Sequence, residues 1–129
     1  MQKEKSKNTD KSAKSLLKIR SYYFAINIIR FLDKAPKDYI TQTLAKQLIR
    51  SATSVGANII EAQAASSKKD FSNFLSYSLK SSNETKFWLG LLRETRNLRD
   101  EVNPLLQEVN ELSNMLGASI ITLKGKRSL

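Results

Sequence analysis

The sequence predicts an all-α protein, an up-down antiparallel four-helix bundle. Three observations carry this. Only four Gly and two Pro occur in 129 residues, too few to punctuate the short strands of a sandwich or barrel. Apolar residues recur three and four apart over long stretches, as in amphipathic helices. The breaks between these stretches are short, and helices with short connections pack as antiparallel neighbours. A chain of this length forms one domain with one core. Its 40% hydrophobic content suits burial rather than disorder.

Residues 1–14 are polar, Lys- and Ser-rich and without apolar periodicity, so a disordered basic arm is expected there. The bundle domain is expected over 15–125, with a basic tail at 126–129. Helix 1 is expected from Ser15 to Lys34. It carries two apolar stripes, Leu16, Ile19, Tyr23 and Ile26, and Tyr22, Ala25, Ile29 and Leu32. Pro36 forces Ala35 out of helical geometry and closes it. Helix 2 is expected from Ile40 to Ala65, with Leu44, Leu48, Ala52, Val55, Ile59 and Ala62 on one face. Lys46, Arg50, Ser54 and Glu61 gather on the opposite face, with Asn58 at its border. Gly56 in the helix interior costs about 1 kcal/mol against Ala, which a close approach of a neighbouring helix could offset.

Helix 3 is expected from Lys68 to Leu98. Ser67 fits an N-cap, and Asp70 three residues on is placed to reach back to the cap amide. Phe71, Phe74, Ser78, Ser81, Thr85, Trp88 and Leu92 form a seam with a three-four spacing. Tyr77, Lys80, Glu84, Phe87 and Leu91 occupy a different side. A helix apolar on two sides has two neighbours, and in a small bundle the second is another subunit. Helix 4 is expected to open with Asn103 as cap and Pro104 in the first position. Its stripe is Leu106, Val109, Ser113, Leu116, Ile120 and Leu123, with Leu105 and Leu112 beside it. Gly125 ends it.

Composition excludes several chemistries. Without Cys or His the chain has no disulfide, no thiolate chemistry, no usual zinc site and no His-based acid–base catalysis. No apolar run approaches the roughly 20 residues that span a bilayer. The charged N-terminus lacks the apolar core of a secretory signal, so a cytoplasmic location and no membrane partner are expected. Net charge is +10, from 22 basic and 12 acidic residues. An excess of this size favours polyanions through counterion release.

Three pieces, "QLIRSATSVGANIIEA" (47–62), "SKKDFSNFL" (67–75) and "SLKSSNE" (78–84), stand in an order and spacing that resembles the four-helix-bundle proteins encoded in bacterial 23S rRNA intervening sequences. That family includes the accessory variability protein of diversity-generating retroelements. The matching positions include Gln47, Arg50, Asn58, Glu61, Ser67, Lys68, Lys69, Phe71, Ser81 and Glu84. Gly56 stands where the family pattern commonly has Pro. Ala62 and Lys80 stand where it commonly has Gly. The resemblance implies a bundle that assembles as a ring-like homopentamer and has no enzyme activity. It implies nucleic-acid binding, clearest for the retroelement members, which work beside a reverse transcriptase.

The candidate functional residues follow. Lys46, Arg50, Lys68, Lys69, Arg93 and Arg96 are expected to bind nucleic acid, either RNA or DNA, through phosphates and with little base specificity. Several cations carry acidic neighbours on their own helix, Lys80 with Glu84 and Arg96 with Asp100, which damp the local field. Tyr77, Glu84, Phe87, Leu91, Asn58 and Glu61 are expected at a subunit interface. Arg50, Asn58, Glu61 and Glu84 form either solvated stripes or salt-bridged subunit contacts, and a pair between Arg50 and a carboxylate across protomers would be charge-assisted. Tyr22, Tyr23, Tyr77 and Trp88 could stack on bases, but aromatics at helical spacing are core residues more often. No cofactor or metal is expected. A catalytic use of Gln47, Arg50, Glu61 and Glu84 would need a deep pocket holding Arg50 and Glu61 together. The alternative function is a protein-interaction scaffold oligomer with no nucleic-acid role.

Overall fold

In the computed structural model, α1 occupies Gln2–Asp33, α2 Tyr39–Gln63, α3 Lys68–Arg96 and α4 Arg99–Arg127. The structure describes the backbone of residues 2–127 and the side chains of 13–125. The side chains of the expected basic tail at 126–129, and those of most of the expected arm, fall outside that range.

Each helix packs on its neighbours in sequence and α1 closes the square against α4, while the diagonal α1 and α3 meet only at side-chain level, where the Lys14 ammonium lies 4.8 Å from the centre of the Phe71 ring. Pairings run in opposite senses. The Ser78 hydroxyl donates to the Val55 carbonyl (2.7 Å) and the Thr85 hydroxyl to Ser51 Oγ (2.9 Å) across α2 and α3. Ser82 and Ser113 share a hydrogen bond of 2.8 Å across α3 and α4. These buried hydroxyls are all satisfied, which removes the desolvation cost of an unpaired polar group. Their small size lets the helices approach closely. The core around them comprises Phe24, Ile28, Leu48, Val55, Leu89, Leu92, Val102, Val109, Leu112 and Leu116. Gly56 lies against buried Ser21 of α1, and a Cβ there would stand 3.2 Å from Ser21 Oγ. The close approach expected at this glycine is present.

The helix ends are set by local chemistry. Asp38 caps α2, accepting from the Thr41 N–H. Ser67 caps α3, accepting from the Asp70 N–H at 3.1 Å. The Asp70 carboxylate accepts from Ser66 Oγ at 2.7 Å instead of reaching the cap amide. Asn97 ends α3 in the left-handed region, φ 59° and ψ 44°, and α4 starts two residues later.

Four expectations are corrected. Helix α1 begins at Gln2, ahead of Ser15. The Gln, Lys and Glu residues that precede Ser15 are adequate helix formers and continue the geometry without an apolar stripe. On α1 the buried line is Leu17, Ser21, Phe24, Ile28 and Leu32, which shares only Leu32 with the second expected stripe and lies across the helix from the first. On α3 the buried set is Ser72, Leu75, Ser78, Ser82, Thr85, Leu89 and Leu92. Phe71, Phe74 and Trp88 pack half-buried at its edge, so the helix is rotated by about one residue from the expected seam. Finally, α4 starts at Arg99, and Pro104 sits inside it. The backbone turn at Asn97 starts the helix before the proline can.

Candidate nucleic-acid and subunit surfaces

The six candidate phosphate-binding residues spread along the bundle. Lys68 and Lys69 start α3 and Arg93 and Arg96 end it, about 40 Å apart at 1.5 Å per residue. Lys46, Lys68 and Lys69 are exposed. None of the ion pairs among the described residues involves them. The arginines are engaged within the chain. Arg50 Nη2 pairs with Glu84 at 2.8 Å, and its guanidinium also donates weakly to Gln47 Oε1 at 3.4 Å. The carboxylate that Arg50 could meet across protomers is thus one on the chain's own α3. Arg93 pairs with Glu94 at 2.9 Å and donates to Asn103 Oδ1 at 3.2 Å.

Arg96 does not pair with Asp100. Its Nε donates to Thr41 Oγ1 at 2.7 Å and its Nη2 to Asp38 at 3.1 Å, tying the end of α3 to the start of α2. The Thr41 hydroxyl and N–H, followed by Arg96, draw the Asp38 carboxyl below its ordinary pKa. Lys80 likewise leaves Glu84 to Arg50 and lies 5.8 Å from the Tyr77 ring centre.

The candidate interface residues divide into two groups. Tyr77 and Phe87 are more than half exposed on α3, with Leu91 half-buried beside them. On α2, Asn58 Nδ2 donates to the Ser54 carbonyl one turn back, and Glu61 is exposed. Neither Arg50 nor Glu61 lines any of the three main surface grooves. Beneath Phe87 lies Trp88, ring centres 5.0 Å apart at 70°. Its indole N–H is buried without a hydrogen-bond partner.

Two features escaped the sequence reading. Arg20 of α1 pairs with both Glu108 and Glu111 of α4, and those carboxylates raise its pKa. The i, i+3 spacing of the two glutamates marks a shared helix face, but their partner is 88 residues away and leaves no local trace. The other feature is the outward side of α1, where Ile19, Tyr22, Tyr23 and Ile29 are exposed although the tyrosines were read as core residues.

Four helices, with the charged candidates spread over their outer sides instead of converging on one cavity, define a small helical-bundle protein. The sequence narrows this further. Residues 13–118 match the family of the 23S rRNA-intervening sequence protein, and the chain belongs to that family. A crystal structure of a protein of unknown function from the S23 ribosomal protein family of Bacteroides thetaiotaomicron is similar in fold. It is 36% identical, with a TM-score of 0.76 over 84% of this chain and 97% of that one. No curated protein matches the chain significantly. Among the described residues no helix is long and apolar enough to cross a membrane.

Proposed function

We propose that this chain is a non-enzymatic, cytoplasmic nucleic-acid-binding accessory protein that acts as a ring-like homo-oligomer, a pentamer by the family resemblance. The observation that carries the reading is a set of exposed cations without acidic partners. Exposed Lys46, Lys68 and Lys69 make no ion pair among the described residues, while Glu108 and Glu111 are taken by Arg20 and Glu84 by Arg50. The outer sides of α2 and α3 therefore present positive charge toward a phosphate backbone. One copy offers a modest patch, and several copies held together convert it into a multivalent site. Contacts of this kind are phosphate-directed and carry little base specificity.

A salt series of RNA and DNA binding, followed by fluorescence anisotropy, tests this. Affinity falls steeply with salt, and Lys68→Glu with Lys69→Glu lowers both the affinity and the slope. Absence of binding at low salt overturns the reading. The exposed aromatics Tyr77 and Phe87 favour a second reading, a protein-interaction scaffold, for which a reverse transcriptase is the partner the resemblance suggests. A co-purifying protein partner without nucleic-acid binding supports it.

A further inference from the structure

Helix α1 is apolar on two opposite sides. Its inward side holds Leu17, Phe24, Ile28 and Leu32. At 3.6 residues per turn, Ile19, Tyr22, Tyr23, Ile26 and Ile29 centre about half a turn away. From Ser21 to Ile29 the helix carries no charged residue, although this side faces out and Tyr22 is 64% and Tyr23 59% exposed. Together with Thr53, Gly56, Ala57 and Ile60 of α2, it forms a groove of about 530 Å³. The groove's α2 wall is built from mostly small residues. The tyrosines, with Leu16, Ile19, Ile29, Ile49 and Ile60, offer on the order of 700 Å² of apolar surface, near the ~800 Å² that each partner buries in a standard interface.

The opposite side of the molecule carries a ridge. Tyr77 and Phe87 project from α3, and α3 stands diagonally across the bundle from α1, with no close approach of their backbones. The groove and the ridge therefore point away from each other, and one chain cannot cover either with the other. A two-fold pairing of grooves would leave every ridge bare, and a pairing of ridges would leave every groove bare. A head-to-tail contact covers both with a single kind of interface. The shapes agree with this, since bulky aromatics meet a wall of small residues. We infer that the Tyr77–Phe87 ridge of one copy seats in the α1–α2 groove of the next. This rests on the ring-like self-association proposed above, which already requires a head-to-tail contact, and names the two surfaces that meet in it.

The test uses two full-length variants, Tyr22→Glu with Tyr23→Glu in the groove, and Tyr77→Glu with Phe87→Glu on the ridge. Circular dichroism establishes that each retains its helices, and Ala replaces Glu in any pair that loses them. Sedimentation velocity at micromolar concentration then reads the mass of each variant and of their equimolar mixture. Each variant alone sediments as a monomer. The mixture forms a heterodimer, because one intact groove and one intact ridge remain between the two chains. If the wild type is oligomeric but either variant still self-associates, or the mixture stays monomeric, the head-to-tail contact is overturned while self-association stands. A monomeric wild type overturns both.

Discussion

Gly56 and Ser21 show how a single missing side chain sets a helix–helix distance. Glycine inside a helix costs about 1 kcal/mol against alanine, and here the cost is offset by the approach of α1 to within contact of the α2 backbone. Gly90 and Gly117 have open space around the position of an added Cβ. The glycines therefore respond in opposite directions. Gly90→Ala raises stability by about 0.5–1 kcal/mol through helix propensity. Gly56→Leu lowers it by about 1–3 kcal/mol, because the side chain has no room without parting α1 from α2. Urea denaturation of the two variants beside the wild type measures both. Gly56 was legible in the sequence as a close contact, since a glycine in an otherwise strong helical pattern needs a packing reason. Its partner Ser21 was not, because a serine among tyrosines gives no sign of burial.

At the scale of the element, the sequence located all four helices and misplaced some of their faces, and the reason differs in each case. Helix α1 is apolar nearly all round, so periodicity had no contrast from which to choose the inward side. On α3 the contact line is made of Ser and Thr, which hydropathy scores as surface. The rings of Phe71, Phe74 and Trp88 therefore drew the expected seam to one side. The start of α4 was hidden because Asn97 is a left-handed cap, and Pro104 offered a more familiar start signal. Helix ends also carry a prediction. Asp38 ties the start of α2 to Arg96 at the end of α3 and has a lowered pKa. Its charged form is therefore favoured in the folded state. This stabilisation is complete above the unfolded carboxyl value of about 3.9 and is lost as pH falls through the lower folded value. Asp38→Asn keeps a cap acceptor and removes the charge. Melting temperatures from pH 6 to 2.5 show the wild type above this variant at pH 6, and the gap closes below about pH 4.

Over the whole molecule, exposed apolar side chains stand on the outer sides of α1, α2 and α3, and lysines without an ion pair stand among them on α2 and α3. None of this arrangement is visible to a single-helix reading, because it depends on which side of each helix packs inward. The groove-disrupting and ridge-disrupting variants leave every candidate phosphate-binding cation in place. Even so, they bind RNA or DNA at least tenfold more weakly than the wild type at equal chain concentration, since pooled patches lose their avidity. Anisotropy titrations on the two variants measure this. Comparable affinity shows that one chain suffices.

The chain has one tryptophan, and its ring meets the Phe87 ring edge-on. Its intrinsic fluorescence therefore comes from a single place, beside a ring that is itself open to water. A second copy seated on that ring, as the proposed contact requires, would dry the indole's surroundings and move its emission toward the blue, so dilution of an unlabelled sample in a cuvette tests that contact by colour alone.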